Sequence, residues 1–400
     1  MAAPRGAFPG WRPPMTTVTI SSRAARRLAA GHVWVFAGEV DNAAASAAGD
    51  VVRVAGPGGR ILGTAHYSSS STIALRLLSR TGEPVAEGFF EQRLAAALEH
   101  RQRVVRDSEA YRLCHAEGDL LPGLIVDRYA GYLVVQTLTQ GMDRACEQIV
   151  AALAELIAPR GILLRNDAPR RQRESLGADV RVVYGEIPPA VGFRMNGLRF
   201  EADLVHGQKT GVFLDQRDNY AAAAGYARGR ALDCFTCTGG FALHLTPLCD
   251  SVEAVDSSAR ALETARRNAA LNDRTSIQFR EADAFELLRG YSLAGRRFDT
   301  IVLDPPAFAK SRGAVRQALR AYREINFHAL RMLDPGGVLV TCSCSHHVGE
   351  AMLLGTIKEC SAELGRTVRI LERRTQSLDH PILAAVPETH YLKCLILQVL

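Results

Sequence analysis

The chain has 400 residues, 47% hydrophobic and 22% charged, which is too long for one small domain and too apolar for a disordered one. Its net charge of +6 sits in the first 80 residues, where nine arginines face three acids; the remainder holds 39 residues of each sign. The basic end suits either a polyanion partner or a solvated face, and no apolar run approaches the ~20 residues of a membrane-spanning helix.

Residues 1–14 carry four prolines and no apolar core of a secretory signal, so they read as a disordered tail, with Met15 an alternative start. The segment 21–30 predicts a short helix with a Ser or Thr cap. Four β-type runs follow, at 32–36, 50–54, 61–67 and 72–78, separated by Gly-rich turns and a loop at Ser68–Ser71. Residues 15–84 therefore form a compact β-rich domain. The apolar spacing of Phe89, Phe90, Leu94, Ala97 and Leu98 predicts an amphipathic helix over 87–106. Strands at 124–128, 132–138 and 162–165 with a helix at 142–157 make 85–192 a small α+β domain. Asn196-Gly197 between apolar flanks is a hairpin signal.

From there, 193–400 alternates strand and helix. Strands are expected at 231–235, 251–256, 277–280, 300–303, 338–342, 367–371 and 391–400, with helices notably at 259–271 and 315–332. The pattern predicts a parallel, doubly wound α/β domain whose ligands sit beyond the carboxyl ends of its strands. The nine cysteines are scattered and odd in number, which suits a reducing cytoplasm rather than a disulfide framework.

Chemistry-bearing residues collect at the predicted strand ends. The run from Ala231 to Leu243 takes a strand through Gly239-Gly240 into a helix, leaving bare backbone for a ligand. Asp256 ends the next strand at a spacing that suits ribose hydroxyls. Asp283 follows a third strand, placed to meet an adenine amino group. Asp304-Pro305-Pro306-Ala307-Phe308 ends a buried strand with an acid, a stiff turn and an aromatic ring able to stack on a base. Thr341-Cys342-Ser343-Cys344-Ser345-His346-His347 ends a fifth strand with a candidate thiol nucleophile. The two thiols point the same way unless the strand breaks between them. The spacing is wrong for a zinc site, and no metal is expected.

These segments together resemble class I S-adenosylmethionine-dependent methyltransferases. More closely, the chain resembles the ribosomal RNA large subunit methyltransferase I family, over nearly its whole length. The resemblance rests also on Arg26-Arg27-Leu28 with His32-Val-Trp-Val-Phe36, on Leu121 to Arg128, on Gly185-Glu-Ile-Pro-Pro189 and on Gly207-Gln-Lys-Thr-Gly211. Phe213 to Asn219, Asp379-His-Pro-Ile382 and Tyr391-Leu-Lys393 complete it.

The resemblance implies a Rossmann-like catalytic domain preceded by a PUA-like RNA-binding domain. It implies S-adenosyl-L-methionine as cofactor, bound by Phe235, Thr238, Gly239, Gly240, Asp256, Ser257, Asp283, Ala284 and Asn219. It implies 23S ribosomal RNA as partner, met by Arg26, Arg27, Lys209, Pro305 and Phe308, a cytoplasmic location, and a possible homodimer. The family's nucleophile follows Thr-x-Ser and precedes Ser, which places it at Cys344, with Asp304 as its catalytic companion in making 5-methylcytosine. His346-His347 departs from the small residue the family carries there. Two alternatives keep the fold: an N-methyltransferase that grips a guanine or adenine amino group with Asp304-Pro-Pro-Ala-Phe, and a non-catalytic RNA-binding assembly factor.

Overall fold

The computed structural model describes residues 15–42, 46–207, 212–309 and 311–400. The N-terminal tail and Lys209 lie outside them. Among the described residues no helix is long and apolar enough to cross a membrane.

The N-terminal unit is a six-stranded sheet in the order Trp34–Phe36, Ile73–Ser79, Ile61–Tyr67, Val51–Ala55, Thr17–Ile20, Val40–Asn42. The first and third strands in chain order, Thr17–Ile20 and Val40–Asn42, escape the sequence pattern because they are short. The helix Ser22–Ala29 begins where expected, with Ser21 Oγ accepting from Ala24 N at 3.3 Å. It buries Ala24 and Leu28 against Val18, Val35, Val52 and Leu75.

A five-stranded sheet follows, ordered Val180–Gly185, Gly161–Arg165, Tyr132–Thr137, Leu124–Tyr129, Ala110–His115. The helix expected over 142–157 is two helices, Gln140–Arg144 and Cys146–Ile157. The first is tied to the N-terminal sheet. A Cβ on Gly141 would lie 2.1 Å from the His66 ring, and Gln140 Nε2 donates to Ser70 Oγ at 3.1 Å. The break at Ala145 lets the second helix follow its own sheet instead. The hairpin Val191–Met195/Leu198–Ala202 turns through Asn196 and Gly197, both at positive φ, as the Asn-Gly pair demands. Its Phe193 and Phe200 join the core of the C-terminal domain.

That domain holds seven strands, labelled β1 (Arg230–Cys234), β2 (Ser251–Asp256), β3 (Gln278–Glu281), β4 (Phe298–Leu303), β5 (Leu333–Ser343), β6 (Val368–Arg374) and β7 (Lys393–Val399). Their order is β3-β2-β1-β4-β5-β7-β6. The sheet is not wholly parallel: β7 runs antiparallel to both β5 and β6. The physical reason is the link between β6 and β7. Only the 3₁₀ turn Pro387–Thr389 lies between them, so no helix carries the chain back to the sheet's starting end.

The β6–β7 link also fastens the C-terminal domain to the middle one. Asp379, fully buried, accepts from Arg112 N at 2.7 Å, lies 3.3 Å from Arg217 Nη2 and 3.1 Å from His380 Nδ1, and its carbonyl accepts from Arg101 at 2.7 Å. Burial raises its pKa, but His380, Arg217 and the Arg112 N–H prevail and hold it at about 2. Replacing Asp379 with alanine leaves buried cations uncompensated and is expected to cost about 3–5 kcal/mol, read as a lower melting temperature. The folded pKa lies below the unfolded value, so the wild-type advantage persists above about pH 4 and is lost on acidification from there toward pH 2. A melting temperature for the alanine variant equal to wild type at pH 7 would exclude this role.

Candidate active site

The carboxyl ends of β1, β2, β4 and β5 converge on one edge of the sheet, and the residues singled out at those ends arrive there with them. After β1, Phe235 (φ 65°), Cys237 (φ 50°) and Gly239 (φ 87°) bend the backbone through left-handed conformations into the helix Gly240–Leu245. Gly240 is required for packing: a Cβ would lie 2.4 Å from the Tyr220 ring. Thr238 is fixed by Asn268, which donates to its carbonyl at 3.1 Å. Asp256, at the end of β2, accepts from Cys237 N and Ser258 N, each at 2.9 Å, and so ties the glycine loop to its own strand. Ser257 is exposed beside it. Asp283 caps the helix Ala284–Leu293 through Phe285 N and Glu286 N, leaving Ala284 buried. Asn219 stands one layer back: it is fully buried, donates to Gln216 Oε1 at 2.7 Å and accepts from Arg374 at 3.0 Å.

Beneath the loop lies Asp233, fully buried in β1. Its Oδ2 accepts from Thr236 Oγ1 and Ala242 N, while its Oδ1 has no hydrogen-bond partner. Burial drives its pKa up to about 7; hydrogen bonds from Thr236 and Ala242 oppose the rise, and the charges of Asp304 and Asp256 add to it. Three carboxylates thus strain against one another around a strand–loop–helix turn. A cation bound beside the loop would relieve that repulsion. S-adenosylmethionine carries a sulfonium and an ammonium group, and its ribose can meet Asp256, so the residues present fit it.

On the far side of β1, Asp304 follows β4. Gln216 Nε2 donates to its Oδ1 at 2.8 Å. Pro305 is buried, and its carbonyl lies 3.8 Å from Cys344 Sγ. The strand does break between the two thiols. Cys342 is fully buried, opposite Cys394 of β7, whereas β5 ends at Ser343 and releases Cys344 to a half-buried position. Its neighbour Ser345 is pinned by Ala309 N (3.1 Å), Tyr322 Oη (3.0 Å) and Lys393 Nζ (2.7 Å). Cys344 and His346 line a cavity of about 730 Å³, within the range of small-molecule sites.

Two expected substrate contacts, Phe308 and Arg27, are engaged within the protein. Phe308 packs against Phe285 and Tyr322, with ring centroids 5.7 and 4.8 Å away, and is not among the residues lining the Cys344 cavity. Arg27 is bound to Glu39 through both oxygens, donates to Trp34 O at 3.0 Å and stacks over Phe36. Glu39 thus holds the guanidinium on the domain's own surface. Arg26 is exposed on the same helix.

Two residues near the reactive groups were not assigned from the sequence. Gln216 orients Asp304. Lys393 is 4% exposed, and its ammonium interacts with the Cys344 charge; burial lowers its pKa to about 8, and Cys344 opposes that shift. A lysine opening the apolar run Lys-Cys-Leu-Ile-Leu, in a chain with few lysines, was the available signal.

Comparisons agree with this architecture. Residues 18–80 match a PUA-like domain model, and residues 136–396 match a model described as S-adenosylmethionine-dependent methyltransferase. A protein of Tolumonas auensis named ribosomal RNA large subunit methyltransferase I is 38% identical over 395 residues, covering 96% of this chain and 100% of its own. The protein of the same name from Aeromonas hydrophila is 40% identical, with 92% and 95% covered. A solved structure described as a SAM-dependent methyltransferase from Streptococcus mutans shares the fold at TM-score 0.82 and 19% identity, over 96% of this chain and all of its own. A second methyltransferase structure, complexed with SAH, superposes at TM-score 0.83 and 19% identity, with the same coverage. With the methyltransferase model spanning more than half of the chain and such relatives along nearly all of it, the chain belongs to the ribosomal RNA large subunit methyltransferase I family of S-adenosylmethionine-dependent methyltransferases.

Proposed function

We propose that this enzyme methylates C5 of a cytosine in 23S ribosomal RNA, in the cytoplasm, through a covalent adduct with Cys344. The observation that carries the reading is the release of Cys344 from β5 into the cavity, 3.8 Å from the carbonyl that follows Asp304.

Cytosine C5 is too weak a nucleophile to take a methyl group unaided. The Cys344 thiolate adds to C6, its sulfur–carbon bond forming as the C5–C6 double bond opens, and C5 becomes enamine-like. Asp304, carrying a proton, donates its O–H to the pyrimidine N3 and neutralises the negative charge that develops there as C6 is attacked. Gln216 holds Asp304 in place, and the Lys393 ammonium favours the anionic form of the thiol. S-adenosylmethionine would be held by the glycine loop and Asp256 and would supply an electrophilic methyl group, its sulfonium leaving as the neutral thioether of S-adenosylhomocysteine. Transfer of the C5 proton to solvent water then restores the double bond and expels Cys344 as thiolate. The target base leaves its stack to enter the cavity.

The test is mass spectrometry of nucleosides from 23S ribosomal RNA made with and without the enzyme. 5-Methylcytosine dependent on the enzyme supports the reading; a methylated purine in its place overturns it. The N-methyltransferase alternative needs an aromatic beside the base, and Phe308 is committed to Phe285 and Tyr322.

A further inference from the structure

The cavity that Cys344 lines extends well beyond the catalytic domain. Trp34 of the N-terminal sheet lines it, as do Arg112 and Arg165 of the five-stranded sheet, Arg170 of the 3₁₀ turn Pro169–Glu174, and Tyr391. Three arginines therefore meet in one cavity, and their partners differ. Arg112 is held by both oxygens of Asp127, at 2.7 and 2.9 Å. Arg165 donates to the carbonyls of Leu204 (3.0 Å) and Gly207 (2.6 Å) and reaches Asp167 at 3.4 Å. Arg170 has no such partner among the described residues, although its side chain is exposed at the cavity. Crowding by protein and then repulsion from Arg112 disfavour its charge, with Glu117 only partly offsetting them.

The acids at this cavity are already engaged. Glu117 accepts from Trp34 Nε1 at 2.9 Å and lies 3.9 Å from Arg76. Asp215 accepts from Tyr391 Oη at 2.8 Å, and Glu388 lies 3.2 Å from His32. The cavity is thus left with a planar, five-donor cation facing an open volume. A phosphodiester oxygen pair matches that fork in shape and charge.

We infer that Arg170 is the phosphate-binding group of the substrate cavity, gripping the phosphodiester of the nucleotide whose base meets Cys344. This rests on the reading of Cys344 as the base-facing nucleophile. It makes the middle domain part of the active site rather than a spacer. Trp34, fixed by Glu117, then forms the wall through which the N-terminal domain meets the same nucleotide.

The test uses the full-length enzyme and 23S ribosomal RNA, with Arg170→Ala and Arg170→Lys. The alanine variant is expected to raise KM for RNA about 10-fold or more, as for loss of a charge-assisted hydrogen bond, with a much smaller change in kcat. The slope of log affinity against log salt should fall by about 1. The lysine variant should recover the salt slope but not the full affinity, because a point charge replaces the fork. S-adenosylmethionine affinity and melting temperature serve as controls and should match wild type. RNA affinity is also measured in a Cys344→Ala background, where no turnover is needed. If wild type forms no 5-methylcytosine yet Arg170→Ala weakens RNA binding and flattens the slope, the function reading fails and the phosphate contact stands. If wild type forms 5-methylcytosine and Arg170→Ala leaves KM and slope unchanged, the inference is overturned.

Discussion

Replacing Cys344 with alanine is expected to lower the single-turnover rate of 5-methylcytosine formation by about 10⁴-fold or more, the scale on which loss of a covalent nucleophile is felt in other enzymes. The reason is chemical: without addition at C6, C5 has no enamine character to attack with. The fold should tolerate the change, since Cys344 is half-buried at a strand end and Ser345 keeps its three anchoring hydrogen bonds. S-adenosylmethionine binding should therefore be retained in calorimetry. Cys342→Ala is the matched control. Its thiol is fully buried against β7, so its removal should cost about 1 kcal/mol of stability and leave the rate within a few-fold. A Cys344→Ala enzyme that methylates at near wild-type rate would remove the covalent step from the mechanism.

The second large effect belongs to Asp304. Asp304→Asn keeps an oxygen able to accept from Gln216 Nε2, so the loop geometry survives while the acidic proton for N3 is lost. kcat is expected to fall about 10²–10³-fold, as when a preorganised group is removed from a developing charge. Single-turnover kinetics at saturating RNA and cofactor measure this directly. The pair of variants also separates acceptor atoms. An enzyme acting on an exocyclic amino group would lose activity with Asp304→Asn yet tolerate Cys344→Ala, whereas the C5 route needs both.

Much of this site was legible because its residues are punctuated by local sequence. An apolar strand running into two glycines, an acid at the next strand's end, and Asp-Pro-Pro after a buried strand each announce a strand's carboxyl end without tertiary information. Membership of the sheet was equally readable for β1 to β5. What local sequence does not carry is the return of the chain. The antiparallel course of β7 depends on the missing helix between residues 374 and 393, and Lys393 reaches the Cys344 loop only because β7 inserts beside β5. Arg27 shows another thing local sequence does not carry: Glu39, twelve residues on, pairs with its guanidinium. Gln216, Trp34 and Arg170 meet around the site from separate domains or loops, and no spacing rule links them. Asn219 reads as a site residue from its motif, and in the fold it supports Gln216 from behind.

The most direct measurement of the covalent account is a trapping experiment with 23S ribosomal RNA carrying 5-fluorocytosine. Fluorine at C5 cannot leave as a proton does, so an adduct formed after methyl transfer persists. The account predicts an enzyme–RNA species stable to denaturation, formed only with S-adenosylmethionine present, whose nuclease-trimmed nucleotide maps to Cys344 by peptide mass spectrometry. Attachment at Cys342, or no adduct from an enzyme that methylates the unfluorinated RNA, would contradict it.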